Sequence, residues 1–172
     1  MGRHDGAPWL AIENRDVLKG DMNAEAVSGK KILIVEDEEG SRLSLAAMLT
    51  DCDADVTAVG DAEDALAAIE AALPDAVISD IELPGMDGFY FIQKLRERET
   101  KMGAPCAPAV ALSAHADKTY QLRAVGEGFQ MHVAKPVDPA GLLRVLDRLL
   151  SRGRAPPRLG RGGGAAVPAW RR

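Results

Sequence analysis

Five short apolar runs alternate with five stretches of helical periodicity between residues 30 and 151. The apolar runs occupy residues 32–35, 56–59, 76–79, 109–112 and 131–134, and runs of this length are typical of strands buried on both faces. The helical patterns lie at residues 41–49, at 62–73, after the turn at Pro84-Gly85, at 117–125 and after Pro139. Strands that alternate with helices predict right-handed βαβ crossovers, and hence a doubly wound α/β fold with helices on both faces of a parallel sheet.

The helical patterns also predict which side chains pack on the sheet. In the first helix Leu43, Ala46, Ala47 and Thr50 recur at helical spacing, so this row is expected to face the core. Asp61 is the predicted N-cap of the second helix, because an aspartate before an apolar helical pattern accepts a free backbone N–H.

Charge and composition divide the 172 residues into three parts. Residues 152–172 hold six arginines and no acid, whereas residues 1–151 carry 15 basic and 26 acidic side chains, a net charge of −11. We expect an N-terminal extension at 1–29, partly disordered or carrying a short helix around residues 9–18, and a folded domain at 30–151. The Arg/Gly/Pro-rich tail at 152–172 is expected to be disordered. It is either a solvated terminus or a weak contact for nucleic acid.

Membrane and secreted proteins fit the composition poorly. The longest stretch without Asp, Glu, Lys or Arg is residues 102–116, which is too short to span a bilayer, and the N-terminus lacks the apolar core of a signal peptide. Two cysteines, Cys52 and Cys106, provide neither a zinc site nor a disulfide framework. A cytoplasmic protein is therefore expected, without a membrane partner.

Polar side chains follow four of the five predicted strands. Glu36 and Asp37 follow the first strand, Asp80 the third, Ser113 the fourth and Lys135 the fifth. Because ligands of such folds bind at the carboxyl ends of the strands, these side chains are expected to share one site. Three carboxylates repel one another unless a cation joins them, and all-oxygen ligands favour Mg²⁺. The lysine and the hydroxyl then suit a second, anionic ligand such as a phosphoryl group.

These residues fall in four stretches that resemble the CheY-like receiver domain of two-component response regulators. They are ILIVEDE at 32–38, SDIELPGMDG at 79–88, LSA at 112–114 and KP at 135–136. The resemblance covers about residues 30–151 and implies a flavodoxin-like sheet of order 2-1-3-4-5 with five helices. Residues 111–116 and 132–136 also look like the receivers of hybrid histidine kinases.

The resemblance implies a role for each residue at the strand ends. Asp80 is the expected phosphoacceptor, a carboxylate nucleophile that takes a phosphoryl group from phosphohistidine. Mg²⁺ is the expected cofactor, held by Glu36, Asp37, Asp80 and the backbone carbonyl of Glu82, with Asp37 as a direct ligand. Met86 and Gly88 are expected to shape the loop after the acceptor.

The resemblance also implies a switch. Ser113 is expected to hydrogen-bond the phosphoryl group, and Lys135 to pair with Asp80 across a cis bond to Pro136. His132 stands where the family usually has Tyr or Phe, so it is either a rotating switch residue or a half-buried strand residue. Glu82 and His115 occupy positions that tune dephosphorylation in the family, although His115 can also be read as a solvated loop histidine. His115→Ala is expected to change the lifetime of phosphorylated Asp80.

The expected function is that of a phosphoacceptor module, whose helix 4–strand 5–helix 5 surface switches on phosphorylation. Its expected partners are a sensor histidine kinase or a histidine phosphotransfer protein. The output partner is unknown, and no DNA-binding domain is expected because only 21 residues follow the last helix. It is not expected to be an enzyme beyond self-phosphorylation and self-dephosphorylation. Two alternatives remain open: a Mg²⁺-dependent phosphohydrolase with Asp80 as nucleophile, and a phosphorylation-independent binding module.

Overall fold

Five parallel strands form one sheet in the computed structural model, which describes residues 24–152. The strands are β1 (Lys31–Val35), β2 (Asp55–Val59), β3 (Ala76–Asp80), β4 (Ala109–Ser113) and β5 (Met131–Ala134). Their order in the sheet is β2-β1-β3-β4-β5, and every pair of neighbours is parallel. This confirms the doubly wound, flavodoxin-like sheet.

Four α-helices connect the strands and a fifth follows β5, and each helix begins after an acidic N-cap. The helices are α1 (Glu39–Thr50), α2 (Ala62–Ala71), α3 (Gly88–Met102), α4 (Lys118–Glu127) and α5 (Pro139–Ser151). The capping carboxylates, each accepting a backbone N–H of the first turn, belong to Glu38, Asp61, Asp87, Asp117 and Asp138. Such caps satisfy free donors and complement the positive end of the helix dipole. Asp61 confirms the predicted cap; the other four had not been predicted.

The core consists of two apolar clusters, one on each face of the sheet. Ile32 and Ile34 of β1 pack in one cluster with α1 and α5, whereas Leu33 and Val35 pack in the other with α2, α3 and α4. Alternate side chains of a strand point to opposite faces, so a strand covered on both sides has to be apolar throughout. This explains why the apolar runs of the sequence are continuous rather than alternating.

The predicted packing face of α1 is wrong. Leu43 is 60% exposed, and the side chains that α1 buries are Leu45 and Leu49. Both rows have helical spacing, but the observed row removes two leucines from water, whereas the predicted row offers one leucine, two alanines and a threonine. The hydrophobic effect scales with the apolar area buried, so it favours the observed rotation of the helix.

Helix α2 is two residues shorter than the predicted 62–73, because Ala72 is already extended. Leu73 precedes Pro74, and a residue before proline is disfavoured in helical geometry. Helix α4 extends to Glu127 rather than to 125.

A short 3₁₀ helix, Ala24–Val27, precedes β1 and packs against α5. Val27 is fully buried in the same cluster as Leu146 and Leu149. The helix predicted around residues 9–18 and almost all of the predicted tail lie outside the described residues. Within residues 24–152, no helix is long and apolar enough to cross a membrane.

A buried polar network joins α3 to the amino ends of β4 and β5. The Arg96 guanidinium contacts Glu99 at 2.7 Å and donates to the carbonyl of Gly128 and the Oε1 atom of Gln130. Glu99 in turn accepts from the backbone N–H of Ala107 at 2.6 Å. Arg96 and Glu99 are 5% and 0% exposed, so the charges compensate each other away from water.

Candidate functional site

Three carboxylates converge at the carboxyl edge of the sheet. Glu36 and Asp37 follow β1, Asp80 ends the neighbouring strand β3, and one oxygen of each lies within 4.8 Å of the others. Glu36 and Asp80 are buried, whereas Asp37 is exposed. This cluster has an open side at Asp37, and its donors are all oxygen atoms, which suits a hexacoordinate Mg²⁺ that keeps several waters.

Lys135 reaches the same cluster from β5, past the intervening strand β4. Its Nζ atom lies 2.9 Å from a carboxylate oxygen of Glu36 and 2.5 Å from Oδ2 of Asp80. The Lys135-Pro136 peptide bond is cis, and the Lys135 backbone N–H donates to the carbonyl of Ser113 at 2.8 Å. The ammonium group therefore neutralises part of the charge of the two buried carboxylates.

Burial and ion pairing shift the pKa values of Glu36 and Lys135. Burial raises the pKa of Glu36 above its ordinary value, although the hydrogen bond from Lys135 opposes the rise. Burial by itself lowers the pKa of Lys135, but its hydrogen bonds to Asp80 and Glu36 outweigh that effect, so the pKa is raised. The lysine therefore remains charged near neutral pH.

The loop after β3 is held close to the Asp80 carboxylate. The backbone N–H of Glu82 donates to Oδ1 of Asp80 at 2.8 Å. Gly88 N donates to the carbonyl of Ile81, and a Cβ atom at Gly88 would lie 2.3 Å from the carbonyl oxygen of Asp80. Only glycine fits at this approach, which places the start of α3 directly behind the acceptor.

Ser113 and His115 stand on the other side of Asp80. Asp80 pairs with Leu112 in the sheet, so Ser113 lies one position beyond it on β4 and is buried. The Oγ atom of Ser113 accepts the backbone N–H of His115 at 2.9 Å, and Nδ1 of His115 lies 2.8 Å from Oε1 of Glu82. The two residues predicted to tune dephosphorylation thus contact each other, each partly exposed.

His132 is only 4% exposed, so it is buried more completely than the half-buried strand residue considered from the sequence. Burial lowers the pKa of its imidazole, although the charge of Asp117 and a hydrogen bond with the backbone of His115 act in the opposite direction. Its ring meets the ring of Tyr120 edge-on, with 6.2 Å between centroids.

Two residues near the site were missed by sequence reasoning. Arg42 of α1 donates to the carbonyls of Glu36 and Asp37, at 2.8 and 3.3 Å, and so secures the loop that carries both carboxylates. Tyr120 of α4 stacks on His115 with 4.8 Å between ring centroids. A basic residue one helical turn after an acidic loop was the available signal for Arg42. No motif marks Tyr120, which stands five positions after His115 in the sequence.

Comparison with known proteins gives a consistent result. Residues 32–147 match the model of the response regulator receiver domain. The chain is 38% identical over 117 residues to an uncharacterized 14.6 kDa protein in the sodA1 3′ region of Leptolyngbya boryana, covering 68% of this chain and 87% of that protein. It is 35% identical over 133 residues to the response regulator Rre1 of Synechocystis, covering 77% of this chain but only 55% of Rre1.

A solved structure resembles the fold as well. The receiver domain of the sensor histidine kinase PA1611 from Pseudomonas aeruginosa PAO1 superposes with a TM-score of 0.64 at 31% identity, over 72% of this chain and 99% of that domain. That domain has a magnesium ion coordinated in its active-site cleft.

The chain belongs to the response regulator receiver domain family. It is thus a receiver domain of two-component or phosphorelay signalling, a class of phosphoacceptor domains.

Proposed function

We propose that Asp80 is the phosphoacceptor of this receiver and that the acidic cluster around it binds Mg²⁺. The observation that supports this most strongly is the convergence of the Glu36, Asp37 and Asp80 carboxylates with the Lys135 ammonium, which come from the ends of three different strands. A site with three carboxylates and one ammonium group has a surplus of negative charge. This surplus favours a divalent cation, which would in turn offset the negative charge of a phosphoryl group.

The chemistry follows from the geometry. A carboxylate oxygen of Asp80 attacks the phosphorus atom of a phosphohistidine, the P–N bond breaks as the P–O bond forms, and the imidazole takes up a proton. Lys135, which contacts Asp80, would stay beside the charge of the transferred group, and the Ser113 hydroxyl, one position beyond Asp80 on the neighbouring strand, would donate to one of its oxygens. When bound to Glu36, Asp37, Asp80 and the Glu82 carbonyl, Mg²⁺ would neutralise charge on the phosphoryl oxygens.

We infer that the donor is a sensor histidine kinase or a histidine phosphotransfer protein, and that phosphorylation alters the surface formed by α4, β5 and α5. The relation to the receiver of a sensor histidine kinase supports this partner class. A cytoplasmic location is part of the proposal, supported by Cys52 and Cys106, which form no disulfide with each other, as is typical of a reducing compartment.

Intact mass spectrometry after incubation with acetyl phosphate and Mg²⁺ tests the assignment. The parent chain should gain the mass of one phosphoryl group, and Asp80→Asn should gain none. Asp55→Asn, which alters an exposed aspartate at the opposite end of the sheet, is the matched control and should behave like the parent. Phosphate gained by Asp80→Asn would contradict the assignment, and a parent that stays unmodified would favour the phosphorylation-independent binding module.

Turnover separates the receiver from the phosphohydrolase. The Glu82 carboxylate, which a phosphohydrolase would use as its general acid, is paired with His115 in the structure. We therefore expect no steady turnover of small phosphate esters beyond one phosphoryl group per chain and its slow release. Sustained release of the alcohol product that disappears in Glu82→Gln would support the phosphohydrolase instead.

A further inference from the structure

Four rings from four different segments form a cluster beside the acceptor. Tyr120 of α4 lies at its centre, stacked on His115 at 4.8 Å, tilted against Phe89 at 5.7 Å and edge-on to His132 at 6.2 Å. Aromatic pairs at these separations have preferred geometries and resist independent motion of their members. The cluster therefore connects the loop after β4 to α3, α4 and β5.

His115 contacts two residues of the site. Its Nδ1 atom contacts Glu82 at 2.8 Å and its backbone N–H binds the Ser113 hydroxyl at 2.9 Å. Glu82 follows β3 and His115 follows β4, and these two strands are neighbours. The side-chain pair therefore bridges the two loops that flank the Asp80 carboxylate.

Tyr120 is itself well fixed. Its backbone N–H is bound by the N-cap carboxylate of Asp117 at 2.9 Å, and Arg123 lies 4.0 Å from the ring centroid of Phe89, the neighbour of Tyr120. Burial and the charge of Glu82 raise the pKa of Tyr120, so the side chain is uncharged near neutral pH. The imidazole of His115, by contrast, is more than half exposed and depends on its contacts for its position.

We propose that Tyr120 is a positioning residue for the loss of the phosphoryl group from Asp80, and that it acts by holding His115 against Glu82. This inference rests on the proposed function of Asp80. In the reaction a water oxygen attacks the phosphorus atom, the P–O bond to Asp80 breaks, inorganic phosphate leaves, and a proton of the water passes to solvent. The bridge between Glu82 and His115 narrows the approach of that water between the two loops. Without the Tyr120 ring, His115 turns away and hydrolysis is faster.

The rate at which the phosphorylated chain loses its phosphoryl group measures the effect of Tyr120 directly. Each variant is phosphorylated with acetyl phosphate and Mg²⁺, the donor is removed, and the phosphorylated fraction is followed by intact mass. Tyr120→Leu should shorten the lifetime about fivefold, the effect expected from losing the pair of Tyr120 with His115, while phosphoryl uptake changes less than about twofold. Tyr120→Phe keeps the ring on His115 and removes only the side-chain hydrogen bond with Ser113, so its lifetime should stay closer to that of the parent than the lifetime of Tyr120→Leu.

Tyr90→Leu is the matched control, since Tyr90 is a partly exposed tyrosine on α3, and it should also decay like the parent. Because Tyr120 is half-buried, Tyr120→Met, which keeps most of the volume, replaces the leucine variant if the latter does not fold.

A double-mutant cycle with His115→Ala shows whether Tyr120 acts through His115. Tyr120→Leu should have no further effect on the lifetime once His115 is alanine. An equal effect in both backgrounds, or a leucine variant that decays like the parent, would overturn the role of Tyr120 while leaving Asp80 as the acceptor. A parent chain that takes up no phosphate would overturn both proposals.

Discussion

The Nζ atom of Lys135 lies 2.5 Å from Oδ2 of Asp80, a residue 55 positions earlier in the chain. The same ammonium group contacts Glu36, so a single cation serves two buried carboxylates. The charge balance of the site therefore depends on this lysine.

Replacing the lysine by Lys135→Met should have two opposite effects. Without Mg²⁺ the two carboxylates lose their partner, and the free energy of unfolding should fall by about 3 kcal/mol. Mg²⁺ should bind more tightly, because the competing positive charge is gone. Urea unfolding with and without Mg²⁺ and calorimetric titration of Mg²⁺ measure the two effects. Lys118→Met, an exposed lysine on α4, is the control; weaker Mg²⁺ binding by Lys135→Met would contradict the electrostatic argument.

Stability should depend on His132 below about pH 6.5. Burial lowers the pKa of His132 in the folded chain, with Asp117 and His115 as the ionisable groups that face it. The unfolded chain therefore binds a proton that the folded chain does not, so the stability conferred by neutral His132 is complete above the unfolded pKa and is lost as pH falls.

Urea midpoints at about pH 7.5 and pH 5.5 measure this dependence. His132→Phe should lose less stability than the parent between the two values. An equal loss in the parent and in His132→Phe would show that other groups govern the pH dependence.

Breaking the buried network of Arg96 should lower the free energy of unfolding strongly. Arg96→Met leaves the wholly buried carboxylate of Glu99 without its cation, and a loss of about 3–5 kcal/mol is expected in urea unfolding. Lys94→Met, on the same helix, removes an exposed partner of Glu97 and should cause little change. A loss of less than about 1 kcal/mol for Arg96→Met would contradict this argument.

Replacing two glycines by alanine should have opposite effects, because only one of them lacks room for a Cβ atom. Gly88→Ala places a Cβ atom 2.3 Å from the backbone oxygen of Asp80, so it should destabilise the fold and impair phosphoryl uptake. Gly126 lies within α4 with nothing within 4 Å of its Cβ position, so Gly126→Ala should be neutral or stabilise by about 0.5–1 kcal/mol. Thermal unfolding and acetyl phosphate labelling test both, and normal uptake by Gly88→Ala would refute the steric argument.

The sheet and the acidic site were predictable because both depend on position along a strand. A strand buried on both faces has to be apolar throughout, and its last residues necessarily reach the carboxyl edge, as Asp80 does. Rotation about a helix axis is set by tertiary packing instead. The spacing of Leu43 and that of Leu45 fit a helix equally well, and only the area buried on the sheet decides between them.

Contacts between separate segments were beyond the sequence for a similar reason. Phe89 and Tyr120 meet because α3 and α4 lie side by side, and Arg96 and Gln130 meet across 34 positions. Neither pairing has a fixed spacing or a motif, since each depends on where the whole helix is placed.

Val27 has a practical consequence for work on the isolated domain. It precedes the first residue of the family match by five positions, yet it fills a place among Leu146 and Leu149. A fragment that begins at residue 32, where the family match begins, would expose aliphatic side chains of α5 to water. Its free energy of unfolding would be lower by about 2 kcal/mol. Recombinant versions of the domain should therefore start at or before residue 24, because shorter ones are expected to aggregate through the exposed apolar surface.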